Sequence, residues 1–228
     1  MKRIACVLWL ILATTAMAKE PDDCSLKFRG RARKVVKLRS PTVAVSDRYE
    51  VIGTREAPKS VQFFFDKGCE LEGRLPREVP KAAVMDLEKG VVTLQAFVLA
   101  VRYETILGLG GDRDFHIELS DSPDWTASKH VIVEVPPGCP YCDARKAIWQ
   151  LAKDDAAASG KPLDKTHIFQ NPPKVQVVGF IFFDKGGLHD DHGDCHASGG
   201  RGISRDGQPS MVQGLWELHP VIEVRKVE

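Results

Sequence analysis

From residue 90 onward the apolar and polar positions fall into a regular order. Val91 to Glu104 is a long run rich in β-branched and aromatic residues, closed by the turn signal Gly108-Leu109-Gly110-Gly111. Asp114 to Asp121 alternates: Phe115, Ile117 and Leu119 point one way, and Asp114, His116 and Glu118 the other. That period of two is the mark of a strand. Ser122-Pro123-Asp124 supplies a turn, and His130 to Val135 repeats the alternation with Val131, Val133 and Val135 toward a core. The period then changes. Ala144, Ile148, Leu151 and Ala152 recur at helical spacing, with Asp143 placed as N-cap and Gly160 and Pro162 as terminators. Val175 to Asp184 is almost wholly apolar, and Trp216 to Val227 reads as a last strand after a long Gly/His/Asp loop.

The order is β-β-β-α-β-β, with a long first strand and one helix between strands three and four. It predicts a mainly β chain folded as an OB-like five-stranded barrel, which removes sheet edges by closure. The barrel is expected over residues 88–228. Before it, residues 19–87 read as a small irregular segment and linker. There Pro41, Pro58, Pro76 and Pro80 interrupt scattered apolar residues, and Ser60 to Phe65 reads as a short strand.

Residues 1–18 carry a different signal. Lys2 and Arg3 precede an apolar run, Ile4 to Ala13, which ends in Thr14-Thr15-Ala16-Met17-Ala18. A basic start, a short apolar run and a small-x-small end predict a cleaved signal peptide. The expectation is an exported protein, periplasmic or secreted, with no membrane span in the mature chain. The formal net charge of +1 becomes −1 once Lys2 and Arg3 leave. That balance argues against a strongly basic nucleic-acid binder. The local exception is a basic run in residues 19–40, with Lys27, Arg29, Arg31, Arg33, Lys34, Lys37 and Arg39. It reads as a solvated arm or edge strand in preference to a phosphate-binding surface.

Export changes the meaning of the cysteines. Cys24, Cys69, Cys139, Cys142 and Cys195 would remain, an odd number in an oxidising compartment. Cys24 with Cys69 would tie down the N-terminal segment, while Cys139 and Cys142 could pair together or one of them with Cys195. Spacing alone does not choose.

Four segments occur in a suggestive order: Asp114–Asp121 (DFHIELSD), Val131–Pro136 (VIVEVP), Val177–Asp184 (VVGFIFFD) and Glu217–Val221 (ELHPV). In these the chain resembles a family of small secreted bacterial proteins of uncharacterised function with an OB-like core. The resemblance spans about residues 85–228 and implies the same fold. It marks Asp114, His116, Asp121, Glu134, Asp184, His189, Glu217, His219 and Pro220 as motif positions, and it implies no activity. The loop from Asp190 to Gly207 and the Cys139-Pro140-Tyr141-Cys142 sequence depart from the pattern.

Three constellations have chemistry in them. In an OB order the third strand lies between the second and the fifth, so His116, Glu134 and His219 would line up laterally. Asp114, Asp184 and Glu217 complete this polar cluster. A carboxylate beside an imidazole fixes its tautomer and raises its basicity, which suits metal ligation or acid–base work. The loop holding His189, Asp191, His192, Cys195 and His196 offers imidazole, carboxylate and thiolate at close spacing, as zinc or another divalent transition metal requires. Cys139-Pro140-Tyr141-Cys142, between a strand and a helix, resembles a glutaredoxin active site, where the helix dipole favours a thiolate. Three strands without a helical crossover precede it, which fits a thioredoxin-type layer poorly.

The sequence therefore predicts a binding or structural module of unassigned role, whose His, Asp and Cys residues are of the types that could hold a divalent metal; hydrogen bonding that fixes strand register is the plainer use of the polar row. A thiol-disulfide oxidoreductase using Cys139 and Cys142 is the alternative. Nucleic-acid binding or hydrolysis on the barrel is the second, with neither paired arginines in a nuclease pattern nor a row of exposed aromatics to support it.

Overall fold

The computed structural model describes residues 21–28, 37–39, 49–72, 81–104, 112–184 and 202–228. In chain order its elements are β1 (Glu50–Ile52), α1 (Val61–Glu72), α2 (Lys81–Leu87), β2 (Gly90–Tyr103), β3 (Phe115–Ser120), β4 (His130–Val135), a 3-10 turn (Cys139–Tyr141), α3 (Cys142–Ser159), β5 (Thr166–Ile168), β6 (Lys174–Phe183) and β7 (Val212–Lys226).

Five strands close into a barrel in the order β2-β3-β4-β7-β6, with β6 returning to β2. The length of β2 makes closure possible. Its first half, Val91 to Phe97, pairs with β6, and its second half, Phe97 to Tyr103, pairs with β3. A register shift between Val98 and Ala100 bends the strand from one neighbour to the other. All pairings in the ring are antiparallel except β4 with β7, which is parallel. This is the OB-like barrel that the alternation predicts, with α3 between its third and fourth strands. Two short strands are additional: β1 pairs parallel with the start of β2, and β5 antiparallel with its end.

The predicted inward positions form the core. Phe115, Ile117, Leu119, Val131, Val133 and Val135 pack with Leu94, Ile181, Phe183 and Leu218. Helix α3 covers one side of this core. Ala144, Ile148 and Ala152 are buried as expected, Leu151 is half-buried, and Trp149 stacks on Phe115 with centroids 5.4 Å apart. Gly160 ends α3 in the left-handed conformation at φ 66° that glycine adopts without penalty. Asp143 is not the N-cap: Tyr141 holds that position without a side-chain cap, because the 3-10 turn leads the chain into the helix.

The region before the barrel departs from its irregular reading. Val61 to Phe65 begins a helix, not a strand. Its run of Val and Phe favours a strand locally, but the helix start is capped from two places. The Ser60 hydroxyl accepts from Phe63 N at 3.3 Å. Asp121, from the end of β3, accepts from Val61 N at 2.8 Å and Gln62 N at 2.9 Å. These bonds satisfy amides that a helix start otherwise leaves open. Val61, Phe64 and Phe65 then bury against the barrel core. Lys81–Leu87 forms a second helix, α2, within the stretch that reads as irregular segment and linker.

The N-terminal segment is a strap. Residues 21–28 are tied to α3 by a disulfide between Cys24 and Cys142, with Cα atoms 5.2 Å apart. This replaces the Cys24–Cys69 and Cys139–Cys142 alternatives, because the strap reaches the start of α3. Cys139 carries an exposed free thiol. Leu26 and Phe28 are buried, and the buried Arg145 of α3 donates to the Pro21 carbonyl. Lys37 and Arg39 are not solvated: they meet Asp112 and Glu88 respectively. The arginines at 29, 31 and 33 lie outside the described residues.

Candidate metal centre

The outward positions of β3, β4 and β7 carry acids and imidazoles, and register decides which meet. His116 stands directly opposite Glu134 in the β3–β4 ladder. Ile132 pairs with Glu217 and Val133 with Leu218 in the parallel β4–β7 ladder. His219 therefore falls beside Glu134. The lateral row of His116, Glu134 and His219 exists as the strand order requires.

Glu134 is its centre. Its Oε1 lies 3.7 Å from His116 Nδ1, and its Oε2 contacts His219 Nδ1. Glu217 Oε1 approaches the same His219 nitrogen at 3.7 Å, and Asp114 Oδ2 faces the other, Nε2, at 3.9 Å. The histidine thus has a carboxylate on each side of its ring. Asp114, Glu134 and His219 offer one ligand atom each, all within 4.8 Å of one another and all buried.

The walls are dry. The Phe28 ring from the strap meets His219 edge-on at 6.5 Å, and Phe182 from β6 lies 5.5 Å from it. Lys37 caps the group, 3.2 Å from Asp112 and 3.6 Å from Glu134, with its ammonium 5.5 Å above the Phe182 ring.

Burial and charge pull the groups apart. Burial, followed by repulsion from Glu134 and Asp112, holds Asp114 well above the usual carboxylate range. Burial pushes Glu134 the same way. His219, His116 and Lys37 together outweigh it and hold Glu134 well below its ordinary value. Burial would lower His219, but Glu134 and Glu217 more than reverse this and raise it. Lys37 is raised in the same manner: burial opposes its charge, and Glu134, Glu217, Asp112 and Asp114 prevail. Neither oxygen of Asp114 has a hydrogen-bond donor, although the residue is fully buried. An ionised carboxylate in that condition is costly unless a cation compensates it.

The donor set fits a divalent metal. Two carboxylates and one imidazole suit zinc, manganese or iron(II) better than a soft ion. Ligands on opposite sides of a zinc ion lie about 4.4 Å apart at most, so small side-chain movements would bring the three together.

The other sequence-predicted residues are placed differently. Asp184 is half-buried just beyond β6, whose last residue, Phe183, pairs with Trp216. His189, Asp191, His192, Cys195 and His196 lie outside the described residues. Cys142 is bonded to Cys24, so it does not pair with Cys139. Cys139 Sγ lies 4.0 Å from the Cys24 carbonyl oxygen.

Two parts of the arrangement were not singled out in the sequence. Glu104 and Asp112 flank the segment joining β2 to β3 and gather beside Asp114. Their signal was acidic residues at both ends of a glycine-rich turn. A second buried group also forms, where His130 contacts Glu118 at 2.7 Å and the Trp125 carbonyl at 2.9 Å. Ser210 Oγ donates to Glu118 at 3.1 Å. The Ile203 amide also bonds Glu118, so this group pins residues 203–212 to β3.

Comparisons with protein-family models, with curated proteins and with solved structures found no match to the chain.

Proposed function

We propose that this is an exported binding module whose barrel holds a divalent transition metal, zinc or manganese, through Asp114, Glu134 and His219. One observation carries the reading. The three residues come from β4, β7 and the approach to β3, converge in a buried site, and include a carboxylate, Asp114, with no hydrogen-bond donor. His116 and Glu217 serve as outer partners that orient Glu134 and His219. Export is supported by the Cys24–Cys142 disulfide, a bond that persists in oxidising compartments.

The test is metal analysis of tag-free protein, with thermal shifts of metal-stripped protein on adding Zn²⁺ or Mn²⁺. The expected result is bound metal and a rise in Tm of several degrees, both lost in His219→Gln. Metal-free protein whose Tm does not respond to either ion would refute the assignment.

A further inference from the structure

Asp114 belongs to two groups of potential ligands. One is the group with Glu134 and His219 described above. The other joins it to Glu104 and Asp112, whose carboxylate oxygens also lie within 4.8 Å of one another. Asp114 therefore stands between them with two oxygens, neither of which accepts a hydrogen bond. Its side chain is fully buried, so water from bulk does not replace the missing donors.

The second group is more open and already feels positive charge. Arg102 meets Glu104 Oε1 at 3.0 Å from the rim. Lys37 meets Asp112 Oδ2 at 3.2 Å and reaches across to Glu134 Oε2 at 3.6 Å. The Lys37 ammonium thus touches both groups. His116 Nδ1 is 4.0 Å from Glu104 Oε1 and 3.7 Å from Glu134 Oε1, a second link between them.

We propose that the protein holds two divalent cations, bridged by the carboxylate of Asp114, the first on Glu134 and His219 and the second on Glu104 and Asp112. This rests on the reading of the first site and extends it to a dinuclear centre. Ligand supply favours it: Glu104, Asp112, Asp114 and Glu134 bring four carboxylates together, and among the described Lys and Arg side chains only Lys37 and Arg102 pair with them. Chemistry favours it too, since a carboxylate that accepts no N–H or hydroxyl donor on either oxygen can give one to each ion. Paired ions about 3.5–4 Å apart are the arrangement that clamps an anionic oxygen ligand such as a phosphate ester. Lys37 then acts as the resident cation that a metal displaces or is flanked by.

Mn²⁺ is the probe, added to the metal-stripped full chain. Stoichiometry is measured by equilibrium dialysis and the ions' separation by electron paramagnetic resonance. The expected result is two Mn²⁺ per chain, with an exchange-coupled spectrum in place of the isolated-ion hyperfine pattern. Glu104→Gln and Asp112→Asn should each leave one Mn²⁺ with an isolated-ion spectrum. A wild-type protein that takes one Mn²⁺, unaffected by Glu104→Gln, would overturn the second site and leave the first standing. Two ions that show no coupling would remove the Asp114 bridge. No Mn²⁺ or Zn²⁺ bound at all would sink both readings together. The wild-type spectrum decides the matter even if a variant fails to fold.

Discussion

Glu134 and His219 sit side by side on parallel neighbours, β4 and β7, with Glu134 Oε2 against His219 Nδ1 in a site closed to solvent. The relationship has an energetic consequence. Truncating one partner of a buried charged pair leaves the other uncompensated, at a cost of several kcal/mol. Glu134→Gln keeps the shape and removes the charge. It should lower the stability of metal-free protein by about 3 kcal/mol in urea unfolding. An unchanged midpoint would mean that the contact contributes nothing.

Asp114→Asn should act in the opposite direction. Asp114 is buried beside Glu134 and Asp112 with no N–H or hydroxyl donor, so the fold disfavours its ionised form and folding at neutral pH works against that preference. An amide removes that charge and donates to its acidic neighbours. Metal-free Asp114→Asn should therefore melt above wild type by a few degrees and lose the response to Zn²⁺. A variant that melts lower and still binds metal would contradict both the repulsion and the ligand role.

Lys37→Met tests the cap. The ammonium is held between Asp112 and Glu134 by two ion pairs, largely out of water. Its loss should destabilise metal-free protein by about 2 kcal/mol, the scale of a buried bond to a charged group. Saturating Zn²⁺ should close most of that gap, because the ion takes over the neutralisation. Equal deficits with and without the ion would separate Lys37 from the metal.

The pH dependence of stability should carry a contribution from Asp155, remote from the centre. Asp155 accepts from His167 Nε2 at 3.0 Å, and from the amides of Gln170 and Asn171 at 2.9 Å each. Burial alone would raise its pKa, but these donors prevail and hold it below its ordinary 3.8. The unfolded chain thus binds the proton more readily than the fold does. The stabilisation is complete above the unfolded value and disappears as pH falls through the folded one. Asp155→Asn should be less stable at pH 7 and should lose less on going from pH 5 to pH 2. Parallel acid limbs for the two proteins would exclude this carboxylate.

The disulfide can be tested directly. Peptide mapping without reduction should recover Cys24 joined to Cys142, with Cys139 alkylated in the native protein. The bridge spans 118 residues, and in the chain-entropy picture a closed loop of that length is worth about 5 kcal/mol through the unfolded state. Cys24→Ser should lose about that much stability. A map that joins Cys139 to Cys142 would refute the pairing.

The sequence by itself determined the barrel. Alternation in Asp114–Asp121 and His130–Val135 sets which side chains face inward, since a period of two leaves no other choice on a half-covered strand. The strand order then forces His116, Glu134 and His219 into one lateral row, so that much of the centre was legible before any coordinates. The rest depended on contacts between residues distant in the chain. Local propensity made Ser60–Phe65 a strand, and only the Asp121 carboxylate, arriving from β3, made it the start of a helix. Glu104 and Asp112 joined the site because closure of the ring brings both ends of the β2–β3 connection over Asp114. Cys24 found Cys142, and Lys37 found Glu134, because the strap folds back across the outer face of the barrel. Periodicity reports which face a residue is on, whereas partnership between residues far apart in the chain is set by how the finished surfaces pack.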